Sequence, residues 1–351
     1  MDLPFDAVVG SIPFAPEALR GSLRDFDSFQ SRLLVHSANA IDEHVAAAAR
    51  RFGPSRVGVF IGTSTGGLRD SEVADSARRT EGSLPQHYLW SKVQLPSAAI
   101  EVLRRRFQLT GPGFVVSTAC SSGAKALGAG MRALASGAVD AAIVGGVDTL
   151  CRTTLSGFHA LSVLSPTPCR PFARGRSGTN LGEGAALFVL ERAGEGPFRI
   201  LGVGESSDAH HMTAPHPEGL GARLAIRRAL DAAALSPSDI EYVNAHGTGT
   251  PLNDQSESMA IEAELGRSVP VSSTKGLTGH TLGAAGAIEA ALCLIAMEES
   301  LVPPSVGAEP VDDGIRIAVE ARSRAAAIRI ALSNSFAFGG SNACVVLGRA
   351  P

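Results

Sequence analysis

The chain lacks most of what would point it toward nucleic acid, a membrane or a metal. Its 31 Lys and Arg are outnumbered by 34 Asp and Glu, for a net charge of −3, so it carries no polybasic footprint for nucleic acid. Its five cysteines, Cys120, Cys151, Cys169, Cys293 and Cys344, are odd in number and include no C-x-x-C pair. That argues against a disulfide framework and a zinc site, and for a reducing cytosol. Long hydrophobic runs are missing too. The most apolar segment, Gly283 to Met297, contains Glu289 and is too short to span a bilayer. The opening Met1-Asp-Leu-Pro-Phe-Asp is acidic and broken by proline, unlike a secretory leader. Aromatics make up only 5%, so the core must be built from aliphatic and small side chains.

What is present is glycine, 39 of 351 residues, in a chain that is 44% apolar and 19% charged. This is a soluble globular composition, suited to tight strand-to-helix turns and closely packed layers. Residues 1–30, with Pro4, Pro13 and Pro16, read as an irregular opening. A helical pattern covers Leu33 to Arg51. A buried strand at Arg56 to Ile61 runs into Gly62-Thr-Ser-Thr-Gly-Gly67, and residues 68–98 read as polar and irregular. After a helix at Ser97 to Phe107 comes a strand–turn–helix unit. Its parts are the strand Phe114-Val-Val-Ser117, the turn Thr118-Ala-Cys-Ser-Ser-Gly123 and the helix Ala124 to Ser136.

Strands follow at 141–144, 185–191, 198–203, 241–244 and 270–273, with helices at 220–234, 254–265 and 283–297. A final strand pair, 328–332 and 343–347, is hinged by Asn334 to Asn342. Alternating strands and helices predict an α/β layered fold with largely parallel sheets. The segments 114–134 and 269–297 echo each other as strand, small-residue turn and apolar helix, which suggests two related halves.

Three reactive residues lie at strand-to-helix turns: Cys120, His246 and His280. Such turns gather at the carboxyl ends of strands, where α/β proteins bind ligands. A cysteine at a helix N-terminus is expected to have a lowered thiol pKa and free backbone N–H groups beside it for an oxyanion. The bland alternative is a small buried hydrophobe, the common fate of a free cysteine. Each histidine alone is more often a hydrogen-bonded core residue than a catalyst, but a matched pair with a cysteine shifts that balance. Glu289, inside an apolar helix, is costly to bury unpaired. Either a Lys275–Glu289 pair or a bound cation would resolve the cost. The bend Phe336 to Asn342 reads either as a hairpin packed by two phenylalanines or as a mobile gate beside the cysteine.

Four long motifs, in order and in register, resemble the β-ketoacyl-acyl-carrier-protein synthases, condensing enzymes of the thiolase superfamily. They are Thr118-Ala-Cys-Ser-Ser-Gly123, Asn244-Ala-His-Gly-Thr-Gly-Thr-Pro251, Lys275-Gly-Leu-Thr-Gly-His-Thr-Leu-Gly-Ala-Ala-Gly286 and Asn334-Ser-Phe-Ala-Phe-Gly-Gly-Ser-Asn342. The resemblance implies a thiolase-like fold of two similar βαβαβαββ halves in five layers, α-β-α-β-α. Residues 1–190 would carry the nucleophile and 191–351 both histidines. It also implies decarboxylative Claisen condensation of an acyl thioester with malonyl-acyl carrier protein, as in fatty acid, polyketide or polyene synthesis.

Cys120 would hold the acyl chain, and His246 and His280 would hold the malonyl carbonyl. Lys275 would organise the histidines with Glu289 as its partner, and the N–H groups of Cys120 and Phe338 would form the oxyanion hole. Thr248 and Thr250 would contact the phosphopantetheine arm, with Asp208, His211, Phe336 and Asn342 nearby. No metal or organic cofactor is implied. The implied partners are acyl carrier protein and a second copy in a homodimer, or a different subunit in a heterodimer, with no nucleic acid or integral membrane contact, in the cytoplasm.

Three features depart from the family pattern. Residues 1–30 lack its opening strand with a Thr-Gly-x-Gly turn, as a truncated chain or rearranged cap would. Ala337 stands for a glycine in the gate, which should stiffen it. Arg176-Ser-Gly-Thr179 replaces Arg-Asp-Gly-Phe, which bears on chain-length preference. The stretch 56–67 also resembles a bacterial subgroup that makes aryl polyene lipids. Three rivals are a silent partner like a chain-length factor, which typically lacks the cysteine, a degradative thiolase with a second late catalytic cysteine, and an unrelated cysteine hydrolase, which would not need Lys275.

Overall fold

In the computed structural model, which describes residues 3–86, 88–192 and 194–350, two sheets enclose a pair of helices. Met1, Asp2 and Pro351, at the ends of the two expected halves, lie outside the described residues. The first sheet has the spatial order Gly113–Val116, Val57–Gly62, Ala141–Asp148, Gly184–Glu191. Its first three strands run parallel and the last antiparallel. The second sheet has six strands: Ala318–Val319, Pro270–Ser272, Tyr242–Asn244, Ile330–Ala337, Ser341–Arg349 and Phe198–Ser207. Its inner strands repeat the first sheet's pattern, three parallel and then one antiparallel. The strands before Cys120 and before His280 therefore occupy equivalent places in the two sheets.

The two central helices, Ser122–Ala135 and Ala285–Glu299, follow those equivalent strands. They bury Ala124, Leu127, Ala290, Cys293 and Met297 against Phe60, Val144, Ala343 and Val345 of both sheets. Helices Phe29–Ala38, Asp42–Phe52 and Ala98–Phe107 cover the outer face of the first sheet. Leu220–Ala233 and Pro251–Leu265 cover that of the second. The result is the expected α-β-α-β-α layering. Each fully buried large aliphatic side chain contributes about 1.5–3 kcal/mol.

The small residues of the motifs have a packing reason. A Cβ on Gly62 would sit 2.5 Å from the backbone of Ser122 and Gly123, and one on Gly123 would sit 2.8 Å from the Ala287 nitrogen. Only glycine lets the Cys120 turn, the first sheet and the second central helix approach this closely.

Several elements differ from the sequence reading. The expected helix over 33–51 is two helices, broken by a 3-10 turn at Asn39–Ile41. Residues 68–98 are only partly irregular, because Leu68–Glu81 is a helix closed by Gly82 in the left-handed conformation. Its charged surface hid it, since only Ala74 is buried. A second missed helix, Arg152–Ala160, has its N-terminal N–H groups capped by Glu72 across the fold. The irregular opening contains a short strand, Val9–Gly10, paired in parallel with Leu181–Gly182. The last strand pair is longer than expected, and the bend between its strands is only Phe338–Gly340. Among the described residues no helix is long and apolar enough to cross a membrane.

Candidate active site

Cys120 lies two residues before the first central helix, in a turn that the sequence locks. The Ser122 hydroxyl accepts from the Thr118 N–H at 2.9 Å and donates to the Ala119 carbonyl at 2.6 Å. Ala119 takes φ +50°, a left-handed conformation that costs a non-glycine residue of the order of 1 kcal/mol or more and persists only when the surroundings over-determine it. His246 is aimed by its backbone: its N–H and that of Gly247 each donate to the buried Glu257 carboxylate at 2.7 Å. His280 is held from the other half, its N–H donating to the Asn180 carbonyl at 2.6 Å and its carbonyl accepting from Gly182 at 2.9 Å.

These three turns converge. The Cys120 Sγ lies 2.9 Å from His280 Nε2, and the two imidazoles stand edge to face with centroids 5.2 Å apart. A ring atom from each histidine and the sulfur all lie within 4.8 Å of one another. Lys275 Nζ is 3.4 Å from His246 Nδ1 and is ion-paired with Glu289. All five side chains are buried. The sequence left two ways of resolving the Glu289 burial, and the structure has the lysine pair.

The electrostatics correct one expectation. The thiol of Cys120 is not acidified: burial pushes it up to about 12, and Lys275 and the N–H groups of Phe338 and Cys120 only partly oppose that. The helix terminus stabilises a thiolate, but desolvation of a buried charge outweighs it. Cys120 rests as a neutral thiol beside the His280 imidazole nitrogen. Burial, reinforced by Lys275, also holds both histidines well below the usual imidazole range, so both are neutral near pH 7. Burial raises the Glu289 carboxyl and Lys275 pulls it back. Because an ammonium can only donate, His246 Nδ1 is its acceptor and the ring proton sits on Nε2.

The backbone N–H groups of Phe338 and Cys120, the two expected oxyanion donors, both act to lower the Cys120 thiol. Phe338 also stacks on Phe158 at 5.5 Å. Phe336 is buried, its ring 6.1 Å from that of His246. The Thr248 and Thr250 hydroxyls hydrogen bond to each other at 2.8 Å on the loop after His246. Three of the residues expected at the substrate, Asp208, His211 and Asn342, make hydrogen bonds that hold loops. The Asn342 amide donates to Asp208 at 2.7 Å, and Asp208 accepts from His216 while its N–H donates to Gly340. His211 is exposed, and its Nδ1 accepts from the N–H groups of Thr213 and Ala214, so it serves its own loop. Ala337 is extended, φ −120°, and pairs with Ser341 at the base of the gate.

Sequence reasoning missed the buried acids that hold the site. Asp254 accepts from the N–H groups of Gly249 and Phe172 and pairs with Arg176. Glu257, one helical turn on, anchors His246. Asp148 ties the first sheet to the turn after His280. The i, i+3 spacing of Asp254 and Glu257 directly after the histidine loop was the available signal.

Comparison with known proteins bears on this arrangement. Residues 10–195 match the family described as beta-ketoacyl synthase, N-terminal domain, and residues 198–309 the beta-ketoacyl synthase, C-terminal domain. The chain is 35% identical over 308 residues to 3-oxoacyl-[acyl-carrier-protein] synthase 2 of Staphylococcus aureus (strain COL), covering 83% of this chain and 74% of that one. Its fold is similar, TM-score 0.92 at 42% identity, to a chain of the ketosynthase (ApeO) in complex with its chain length factor (ApeC) from Xenorhabdus doucetiae, over 98% of this chain and 87% of that chain. It is also similar to a beta-ketoacyl synthase from Burkholderia phymatum STM815, TM-score 0.88 at 30% identity, over 97% and 88% of the two chains.

Proposed function

The chain belongs to the beta-ketoacyl synthase family, and from that premise we propose that it condenses an acyl thioester with malonyl-acyl carrier protein, lengthening the chain by two carbons. The observation that carries this reading is the neutral thiol of Cys120 set 2.9 Å from His280 Nε2, with a second neutral imidazole beside it. In the first half-reaction the Cys120 sulfur attacks the acyl thioester carbon. His280 takes the thiol proton and passes it to the departing carrier thiolate. The N–H groups of Cys120 and Phe338 hold the transient oxyanion.

Once acylated, the sulfur no longer donates to His280, which gives up its Nδ1 proton and takes one at Nε2 with no net change, so that an Nε2–H from each histidine faces the malonyl carbonyl. The malonyl C–C bond breaks, carbon dioxide leaves, and the electron pair becomes an enolate stabilised by these two donors. Enolate carbon attacks the Cys120 thioester, the C–C bond forms, and the C–S bond breaks to leave the Cys120 thiolate, which takes a proton from solvent to restore the thiol; this is the one proton the overall reaction consumes. Neutral imidazoles suit this step because they stabilise the enolate oxygen without protonating it.

The reaction needs no metal or organic cofactor in this scheme. Sulfur and two ring nitrogens within 4.8 Å could grip a thiophilic cation, but the Lys275 ammonium beside His246 opposes a positive ion there. We assign the Thr248–Thr250 loop to the phosphopantetheine arm, and acyl carrier protein as partner. Like the complex from Xenorhabdus doucetiae, the chain would pair with a second subunit, a copy of itself or a chain-length factor. Five free cysteines, one of them the nucleophile, fit the reducing cytoplasm. A silent subunit is the second reading, favoured by the same similarity to a two-subunit complex; the intact Cys120, His246 and His280 disfavour it.

The test is an intact-mass measurement after incubation with acyl-carrier thioesters of several lengths, followed by malonyl-carrier protein. An acyl adduct on Cys120 that malonyl-carrier protein discharges as the β-ketoacyl product supports the proposal. A chain that never acylates, alone or with a second subunit, is a silent partner.

A further inference from the structure

Asp148 ends the third strand of the first sheet and is completely buried. Among the described residues no lysine, arginine or histidine pairs with it. Its carboxylate accepts instead from the hydroxyls of Thr63, Ser64 and Thr65 at 2.6, 2.6 and 2.7 Å. It also accepts from the N–H groups of Ser64 and Thr65, each at 2.9 Å, and from the N–H of Gly283 at 2.6 Å. This last bond crosses from the N-terminal half to the turn that follows His280. The preceding residue, Leu282, is buried at φ +52°, a strained conformation for a leucine. A Cβ on Gly283 would lie 2.6 Å from Asp148 Oδ2 and 2.7 Å from the Ser64 nitrogen, so the contact leaves no slack.

We infer that Asp148 is a positioning residue for the condensation: through Gly283 it clamps the strained turn that carries His280, and so sets the reach of that imidazole toward Cys120 and the malonyl carbonyl. Six donors compensate a buried anion that has no counter-ion, an arrangement that favours direction over net stability. The clamp joins the half that carries the nucleophile to the half that carries the histidine. Near-attack geometry is sensitive to displacements of about 1 Å, worth up to about 10²-fold in rate. This inference rests on the role proposed above for His280.

The test variant is Asp148→Asn, which keeps the shape. Its oxygen stays with the larger donor group at Thr63 and Thr65, and its NH₂ then faces the Gly283 N–H, donor against donor. Decarboxylation of malonyl-carrier protein is measured per site titrated with iodoacetamide, so that unfolded molecules are not counted. The expected kcat is about 10–100-fold below wild type, with KM for malonyl-carrier protein within about twofold. The control is Ser64→Ala with Thr65→Val, which removes other bonds to the same carboxylate but keeps the Gly283 contact. Its kcat per site should stay within about threefold of wild type even if its Tm falls. If Asp148→Asn does not fold, Gly283→Ala opens the contact from the other side and is judged by the same criterion.

Equal kcat per site in wild type and the clamp variant overturns the inference, and so does an equal loss in the control. Failure of both Asp148→Asn and Gly283→Ala to fold, while the control folds, assigns Asp148 to stability alone and also overturns it. A folded wild type that releases no carbon dioxide sinks the ketosynthase reading instead.

Discussion

Replacing Lys275 by methionine should separate what the buried ion pair does for stability from what it does for catalysis. The side chain is completely buried and ion-paired with Glu289, and its Nζ is 3.4 Å from His246 Nδ1. Lys275→Met strands the carboxylate, which must take up a proton to stay buried. At pH 7.5, three units above the ordinary glutamate value of 4.5, full protonation costs about 4 kcal/mol at about 1.36 kcal/mol per unit. Wild type already carries about 3 kcal/mol of that cost, because burial raises Glu289 from 4.5 to about 7 even with Lys275 present. The expected further loss is therefore about 1 kcal/mol, below the usual cost of breaking a buried pair because the carboxyl is already raised in wild type.

The sign follows from linkage. In the variant the folded-state pKa of Glu289 lies further above the unfolded value, so the penalty is absent below about pH 4.5 and grows as pH rises. Urea unfolding at pH 7.5 and 5.5 should show the gap from wild type narrowing at the lower pH. Adding Glu289→Gln removes the proton uptake altogether and should raise stability above the single variant, and to at least the wild-type level, by about 2 kcal/mol or more. Activity should not follow. Without the ammonium at Nδ1, nothing selects the Nε2–H tautomer of His246, and malonyl decarboxylation should stay about 10²-fold down, the usual cost of losing one oriented donor. A double variant that regained turnover together with stability would refute the tautomer argument. A single variant as stable as wild type at pH 7.5 would refute the energetics.

Three further outcomes follow from the site. The rate of Cys120 alkylation by iodoacetamide should climb about tenfold per pH unit through pH 9 without levelling, because burial lifts the thiol to about 12; a plateau near pH 7 would mean a resting thiolate. Cys120→Ala should abolish condensation yet still release carbon dioxide from malonyl-carrier protein, since both histidines remain; loss of both activities would place the sulfur in the decarboxylation step. Glu257→Ala leaves the buried N–H groups of His246 and Gly247 without their acceptor and should cost about 2–4 kcal/mol in urea unfolding; a change under about 0.5 kcal/mol would deny that the carboxylate anchors the loop.

The candidate site was legible because its residues sit in long motifs of small side chains, where a cysteine, histidine or lysine stands out. The layers were legible because apolar periodicity marks strands and buried helices. The helix 68–81 was not, since with only Ala74 buried it has almost no apolar stripe to detect. The helix 152–160, likewise with one buried residue, takes its N-terminal cap from Glu72, 80 positions away. No local signal announces either.

The sequence by itself determined which groups are candidates to react, that they lie at strand-to-helix turns, and that the chain folds as two similar halves. Only the tertiary structure decided their state. It set the thiol up to about 12, left both imidazoles neutral and paired Lys275 with Glu289. It also brought Asp148 of one half to the histidine turn of the other. The physical reason is that desolvation and charge pairing depend on everything packed within a few ångströms, and most of those neighbours are far away along the chain.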